Sequence, residues 1–108
     1  MAIAHAKPGQ AIDIRPGATD PDGARTVALF KSRDLEVMRL VLPAGKALPP
    51  HKVAGEITIQ CLSGALAVTT AAGRHELQAD QLLYLEREAV HDVLALEDAV
   101  ALVTLALA

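Results

Sequence analysis

The sequence contains very few aromatic side chains and no surplus of basic ones. Phe30 and Tyr84 are the only large aromatic residues, and tryptophan is absent. Because proteins that bind single-stranded nucleic acid stack its bases on aromatic rings, that class is disfavoured. Ten Lys and Arg residues stand against 13 Asp and Glu, which gives a net charge of −3. A phosphate backbone is bound through a local excess of positive charge, so we expect no nucleic-acid partner.

Cysteine and long hydrophobic runs are also scarce. Cys61 is the single cysteine, so no intrachain disulfide can form, and a reducing, cytoplasmic location is expected. The first ten residues lack the apolar segment of a signal peptide. The most apolar stretch, residues 99–108, is about half of the ~20 residues that a membrane helix needs. We therefore expect a soluble protein with no membrane partner.

Apolar residues are abundant, at 52% of the chain, and they recur with a period of two. In the segment EITIQCL (residues 56–62), polar residues at positions 56, 58 and 60 alternate with apolar residues at positions 57, 59 and 61, as in a strand with one buried face. In residues 35–42 (LEVMRLVL) both faces are largely apolar, which indicates a strand covered on both sides. Turn sequences such as PAGK and AAGR separate such segments at short intervals. The pattern predicts an all-β protein of about ten short strands, either a barrel or a jelly roll.

Two spaced motifs carry a family resemblance. In the first, Gly45 is followed by five residues and His51, and Gly64, the last residue of LSG, closes the next strand. In the second, residues 79–93 (ADQLLYLEREAVHDV) place His91 at the end of a similarly spaced segment. The chain resembles the cupins, whose two motifs have this spacing and are joined by a hairpin. The resemblance implies a double-stranded β-helix, or jelly-roll barrel.

The resemblance also implies a domain organisation. It covers residues 26–107, so we expect a single cupin barrel domain over residues 25–108. Residues 1–24 are then an N-terminal arm, with one short strand at residues 11–15 (AIDIR).

Departures from the family pattern concern the metal site. Cupins typically bind a metal through three histidines and one glutamate. Here Val53 stands where the second histidine is expected, and Ile57 stands where the glutamate is expected. Glu56 is one residue away, and a shift of one residue reverses the direction of a side chain in a strand. We therefore expect Glu56 to be an exposed charge or a partner of Lys52 or Arg74, unless a bulge turns it inward.

The first functional hypothesis is a cavity that binds a small, partly apolar molecule, with little or no metal. Whether the protein is an enzyme is left open, since no reaction can be assigned. His51 and His91 are interpreted either as functional cavity residues or as hydrogen-bonded histidines at a barrel mouth. The predicted cavity consists of these two histidines and a wall formed by Ile57, Ile59, Cys61 and Tyr84.

The alternative hypothesis is a metal-dependent enzyme of the dioxygenase or isomerase type. Its metal, a divalent Fe, Mn, Ni or Zn ion, would be bound by His51, His91 and Glu56. A third hypothesis is a purely structural or regulatory dimer. In each case we expect a homodimer, because strands that are apolar on both faces need additional cover. His75, on the hairpin between the motifs, is expected to be exposed.

Overall fold

The computed structural model describes residues 6–15 and 25–107 of the chain. Apart from turns and loops, these residues form only β-strands, and among them no helix has the length and apolarity that a membrane crossing requires. The nine strands of the described part are β1 (Val27–Lys31), β2 (Leu35–Leu42), β3 (Ala47–His51), β4 (Ile57–Ser63), β5 (Ala65–Thr70), β6 (Gly73–Gln78), β7 (Leu82–Leu85), β8 (His91–Ala95) and β9 (Ala99–Ala106).

The strands form two antiparallel sheets that face each other. One sheet has five strands in the order β1-β2-β9-β4-β7, and the other has four in the order β3-β8-β5-β6. Consecutive strands such as β4 and β5 lie in different sheets, so the chain crosses repeatedly between them. The predicted all-β jelly-roll fold is confirmed, with nine strands in the described residues against the expected ten or so.

The core lies between the sheets and is aliphatic. In β2, Met38 and Leu40 face inward and pair with Val103 and Ala101 of β9. In β4, Ile57 and Ile59 face inward and are almost fully buried. The period of two in the sequence thus corresponds to an inner and an outer face of each strand. Burial of these aliphatic side chains is the main force that holds the two sheets together.

The edge strand β3 brings the two motif histidines together. It pairs with β8, and the register places His51 directly opposite His91. Pro49 and Pro50 precede His51, and the pairing shifts between Leu48 and His51. Proline cannot donate a ladder hydrogen bond, so it is tolerated here only because β3 lies at the edge of its sheet.

The predicted short strand at residues 11–15 is wrong, because these residues adopt no strand conformation. Instead the Asp13 carboxylate accepts hydrogen bonds from the backbone N–H and the guanidinium of Arg15. These bonds hold the pKa of Asp13 at about 2. The N-terminal arm contacts the barrel at Ala6, whose N–H donates a hydrogen bond of 2.9 Å to the Leu29 carbonyl oxygen in β1. The boundary predicted between residues 24 and 25 adjoins residues 16–24, which are outside the described residues.

Gly64 occupies the tight crossing from β4 to β5. Its φ of +74° lies in the left-handed region. A Cβ atom added there would lie 2.1 Å from the Asp98 carbonyl oxygen, in the turn between β8 and β9. Gly45 has a similar φ of +84°, but nothing lies within 4 Å of its added Cβ. The β4–β5 and β8–β9 crossings pack so closely that position 64 has no room for a side chain, whereas position 45 has room for one.

Candidate functional site

A cavity of about 130 Å³ lies between the two sheets beside the paired histidines. Among the described residues, His51 and His91 supply its only polar side chains, and nine aliphatic or methionine side chains form the rest of the wall. No charged residue of ranges 6–15 and 25–107 lines it. Both sheets contribute, so the cavity exists only when the barrel is closed. Seven residues of the wall were not predicted from the sequence: Met38, Leu40, Leu48, Val53, Val93, Val103 and Leu105.

The two imidazole rings are in contact at one end of this cavity. Their centroids are 4.4 Å apart and their planes are tilted by 52°. His91 lies on the central strand β8 and is only 2% exposed, whereas His51 lies at the end of the edge strand and is exposed. One ring is thus fixed within the protein while the other forms part of the entrance.

Each imidazole is held by its own backbone. Nδ1 of His51 lies 3.0 Å from the Pro49 carbonyl oxygen, and Nδ1 of His91 lies 3.0 Å from the Ala89 carbonyl oxygen. A carbonyl only accepts hydrogen bonds, so each Nδ1 must carry the proton. In the neutral ring Nε2 then has a free lone pair. This orientation is also the one in which histidines bind metals or accept protons.

Glu56 is not brought to the histidines. It lies immediately before β4, in register with the residues of that strand that face outward. Its carboxylate accepts a hydrogen bond from the Tyr84 hydroxyl. This bond to the Glu56 carboxylate raises the pKa of Tyr84 above its usual value. Glu56 is therefore an exposed hydrogen-bond acceptor. Its partner is Tyr84, and not Lys52 or Arg74 as the sequence suggested. Arg74 forms its ion pair with Glu76, at 3.1 Å.

The donor set does not fit a divalent ion held by three protein ligands. Among residues 6–15 and 25–107, no three His, Cys, Asp or Glu side chains are grouped as a metal site. Glu56 cannot be the third ligand, because its neighbour Ile57 faces the cavity and side chains alternate along β4. The pairing of β4 is regular from Ile57 to Cys61, so no bulge turns Glu56 inward. Val53, which lines the cavity at the position of the missing histidine, has no donor atom. Two imidazoles fall short of the three protein ligands of a typical catalytic zinc site, so we derive no step through a metal.

Ile57 and Ile59 line the cavity, but Cys61 does not. Cys61 faces the core and is fully buried. It is four residues beyond Ile57, or about 13 Å along the strand at ~3.3 Å per residue. Its thiol donates to the Ser63 carbonyl, and burial raises its pKa. Cys61 is thus a core residue away from the histidines. The sequence could not show this, because alternation determines which face of a strand a residue is on but not how far along the barrel it lies.

Tyr84 lies outside the cavity as well. It alternates with the inward Leu83 and Leu85 on β7, so its side chain faces outward and is 58% exposed. It borders a second, solvent-open cleft of about 600 Å³ between β7, the β5–β6 turn and residues 86–90. His75 also borders this cleft. The prediction that His75 is exposed is wrong: it pairs with Val68, is half-buried and lies 3.3 Å from the Thr70 hydroxyl.

Comparisons with known proteins establish the fold. No protein-family model and no curated protein sequence matches this chain. An RmlC-like cupin from Desulfovibrio desulfuricans superposes with a TM-score of 0.74 at 24% identity, over 90% of this chain and 96% of that one. A conserved protein of unknown function from Streptococcus pyogenes gives a TM-score of 0.76 at 18% identity, over 98% and 94%.

A cupin superfamily protein from Desulfitobacterium hafniense superposes with a TM-score of 0.75 at 14% identity, over 78% of this chain and 77% of that one. These likenesses agree with the two-sheet topology and with the motif spacing in the sequence. The chain is therefore a small cupin-fold domain. Because the fold serves many activities, function must be argued from the cavity itself.

Proposed function

We propose that the protein binds a small, largely apolar molecule in the cavity between its sheets, with His51 and His91 as its polar contacts. The observation that carries the proposal is the pair of anchored imidazoles at the end of an otherwise apolar cavity. Ligand sites commonly combine an apolar wall with a few fixed polar groups in this way. The wall provides affinity through the hydrophobic effect, and the imidazoles select the ligand's orientation.

Burial of His91 supports a role beyond packing. A buried polar side chain costs free energy unless its hydrogen bonds are made. His91 makes one bond through Nδ1, and its Nε2, for which no described residue provides a partner, is open to the cavity rather than sealed from solvent. An aliphatic residue would fill the same space without that cost. A ligand that contacts Nε2 would satisfy the imidazole.

The test is methyl NMR of the full chain with a library of fragments of six to ten heavy atoms. We expect some fragments to shift the methyl signals of Ile57 and Ile59, because both line the cavity. Val53→Phe should abolish these shifts by filling the cavity from its half-buried rim. Leu94→Phe, on the outer face of the four-stranded sheet, is the matched control and should preserve them. Binding that survives Val53→Phe, or no binding at millimolar fragment, would refute the proposal.

We further infer that two copies associate through the outer face of the five-stranded sheet. Its outward positions include Val37 and Val41 of β2, and Val100 and Leu102 of β9, which are half-buried in the single chain. Leu82 on β7 is 61% exposed on the same face. Contiguous apolar surface of this kind is typical of an interface.

Charge indicates that the partner is a second copy of the chain. A twofold interface places a face against itself, so exposed charges on it would repel one another. Charged residues make up 21% of the sequence. Yet Arg39 is the only charged outward-facing residue in the described strands of this sheet, and it is buried. Glu56, just before β4, is the exposed carboxylate nearest this face, and it lies beyond the end of the strand, where it accepts a hydrogen bond from Tyr84. The strands themselves can therefore meet their own copy without exposed like charges between them.

Sedimentation velocity tests the association. We expect a dimer at about 50 μM and a monomer for Leu102→Glu, which places a charge at the centre of the face. Leu94→Glu makes the same change on the outer face of the other sheet and should leave the dimer intact. A monomeric unsubstituted chain, or equal effects of the two variants, would overturn this inference.

A further inference from the structure

We infer that the ligand of the cavity is a small neutral hydroxyl compound, specifically a simple phenol, whose O–H donates to the histidine Nε2 atoms. This inference rests on the proposed function and names the chemical class that the cavity selects. It follows from the protonation pattern of the two rings, the lack of charge in the wall, and the size of the cavity.

The protonation pattern requires a donor on the ligand. Both rings donate through Nδ1 to a carbonyl two residues earlier, so both Nε2 atoms are acceptors. Two lone pairs cannot hydrogen-bond to each other, although the ring centroids are only 4.4 Å apart. No described side chain donates to either Nε2, and both histidines line the cavity. A ligand that fills the cavity excludes water from these atoms, so it must bring its own O–H or N–H donor.

Absence of charge in the wall requires that the ligand be neutral. A carboxylate would face two lone pairs in an apolar cavity, with no Lys or Arg in the lining to compensate for its lost hydration. An alkylammonium ion would have its donors satisfied, but no carboxylate lines the cavity to balance its charge. A neutral hydroxyl meets the acceptors without either cost.

The size of the cavity limits the apolar body of the ligand to about one six-membered ring. Its volume of about 130 Å³ is close to that of the dry, aliphatic-lined cavity of roughly 150 Å³ that takes up benzene in an engineered protein. Ile59 and Val103 face Leu48 and Val93 across this space, so the ring would contact both sheets. A phenolic hydroxyl is more acidic than an aliphatic one and therefore donates a stronger hydrogen bond.

Calorimetric titration of the full chain at pH 8 with phenol, toluene and benzoate tests this inference. Toluene matches phenol in shape but has a methyl group in place of the donor, and benzoate carries a charge. We expect phenol to bind about fivefold tighter than toluene, the factor that corresponds to one net hydrogen bond of ~1 kcal/mol. Benzoate should bind more weakly than either.

Histidine variants identify the source of the selectivity. His51→Leu, at the exposed end of β3, should reduce the phenol-to-toluene affinity ratio at least threefold while toluene still binds. His91→Leu should act in the same direction, and circular dichroism shows whether each variant folds. With ¹⁵N-labelled histidine, phenol should shift the Nε2 resonances, and toluene should leave them near their free values.

The outcomes separate this inference from the proposed function. If toluene binds as tightly as phenol, or benzoate binds more tightly, the cavity is a ligand site but its histidines do not select a neutral donor. If methyl NMR detects no fragment in the cavity, the proposed function fails and this inference fails with it.

Discussion

Replacing Gly64 by alanine should cost about 1–4.5 kcal/mol of stability, because two separate penalties apply at this position and outweigh a smaller gain in the unfolded chain. The left-handed backbone conformation costs a side chain ~1–2 kcal/mol. The new Cβ would in addition lie 2.1 Å from the Asp98 carbonyl oxygen, so the two sheet crossings must move apart. Overpacking of this kind typically costs ~1–3 kcal/mol. The opposing gain from a less flexible unfolded chain is smaller, at ~0.4–1 kcal/mol.

Gly45→Ala provides a matched control. Its φ of +84° carries the same conformational penalty, but no atom lies within 4 Å of the added Cβ. The stiffening of the unfolded chain is also the same, so it cancels in the comparison. The two variants should differ by the packing cost alone, about 1–3 kcal/mol, or roughly 4–20 °C in Tm for a domain of this size.

Urea unfolding followed by circular dichroism measures the difference. The slope m should be equal for both variants and the unsubstituted chain, because the surface exposed on unfolding does not change. Equal losses of stability in the two variants would refute the close approach of Gly64 to the β8–β9 turn. The path of the chain between the two sheets would then differ from the one described.

Three further predictions concern residues that the sequence suggested for the site. Glu56→Gln should lower the pKa of Tyr84, because the carboxylate that favours the protonated phenol is removed; ultraviolet titration reports this residue alone, as it is the only tyrosine. An unchanged titration would show that Glu56 points elsewhere. Val53→His should create a three-imidazole set and with it zinc binding measurable by calorimetry, which the double variant with His91→Ala should lose. A Val53→His variant that binds zinc no better than the unsubstituted chain would contradict the placement of these side chains. Alkylation of Cys61 should be slow in the folded protein and fast in urea, because burial raises its pKa and blocks access. Rapid labelling without urea would contradict its burial.

The sequence was sufficient to predict the fold class and the inward direction of Ile57 and Ile59. Both follow from local alternation, which fixes the face of a residue within its own strand. The same rule could have placed Tyr84 outside, since Leu83 and Leu85 are its inward neighbours.

Other features depend on long-range pairing and could not be predicted. The contribution of Met38 to the cavity follows from its register with Val103, which is 65 positions away in the chain. The burial of His75 follows from its pairing with Val68 and from the neighbouring sheet. The depth of Cys61 depends on where the barrel opens, and no local pattern encodes that.

The unequal support of the two histidines has a consequence for ligand exchange. His91 lies on a strand that is paired on both sides, whereas His51 ends a border strand in which two adjacent prolines contribute no amide donor. Fewer hydrogen bonds must break for this border segment to detach than for any central strand to do so. A ligand bound as proposed would therefore enter and leave through local fraying near His51, without rupture of the aliphatic interior. Exchange of the proposed ligand would then be separate from global unfolding, so it could be rapid in a stable protein.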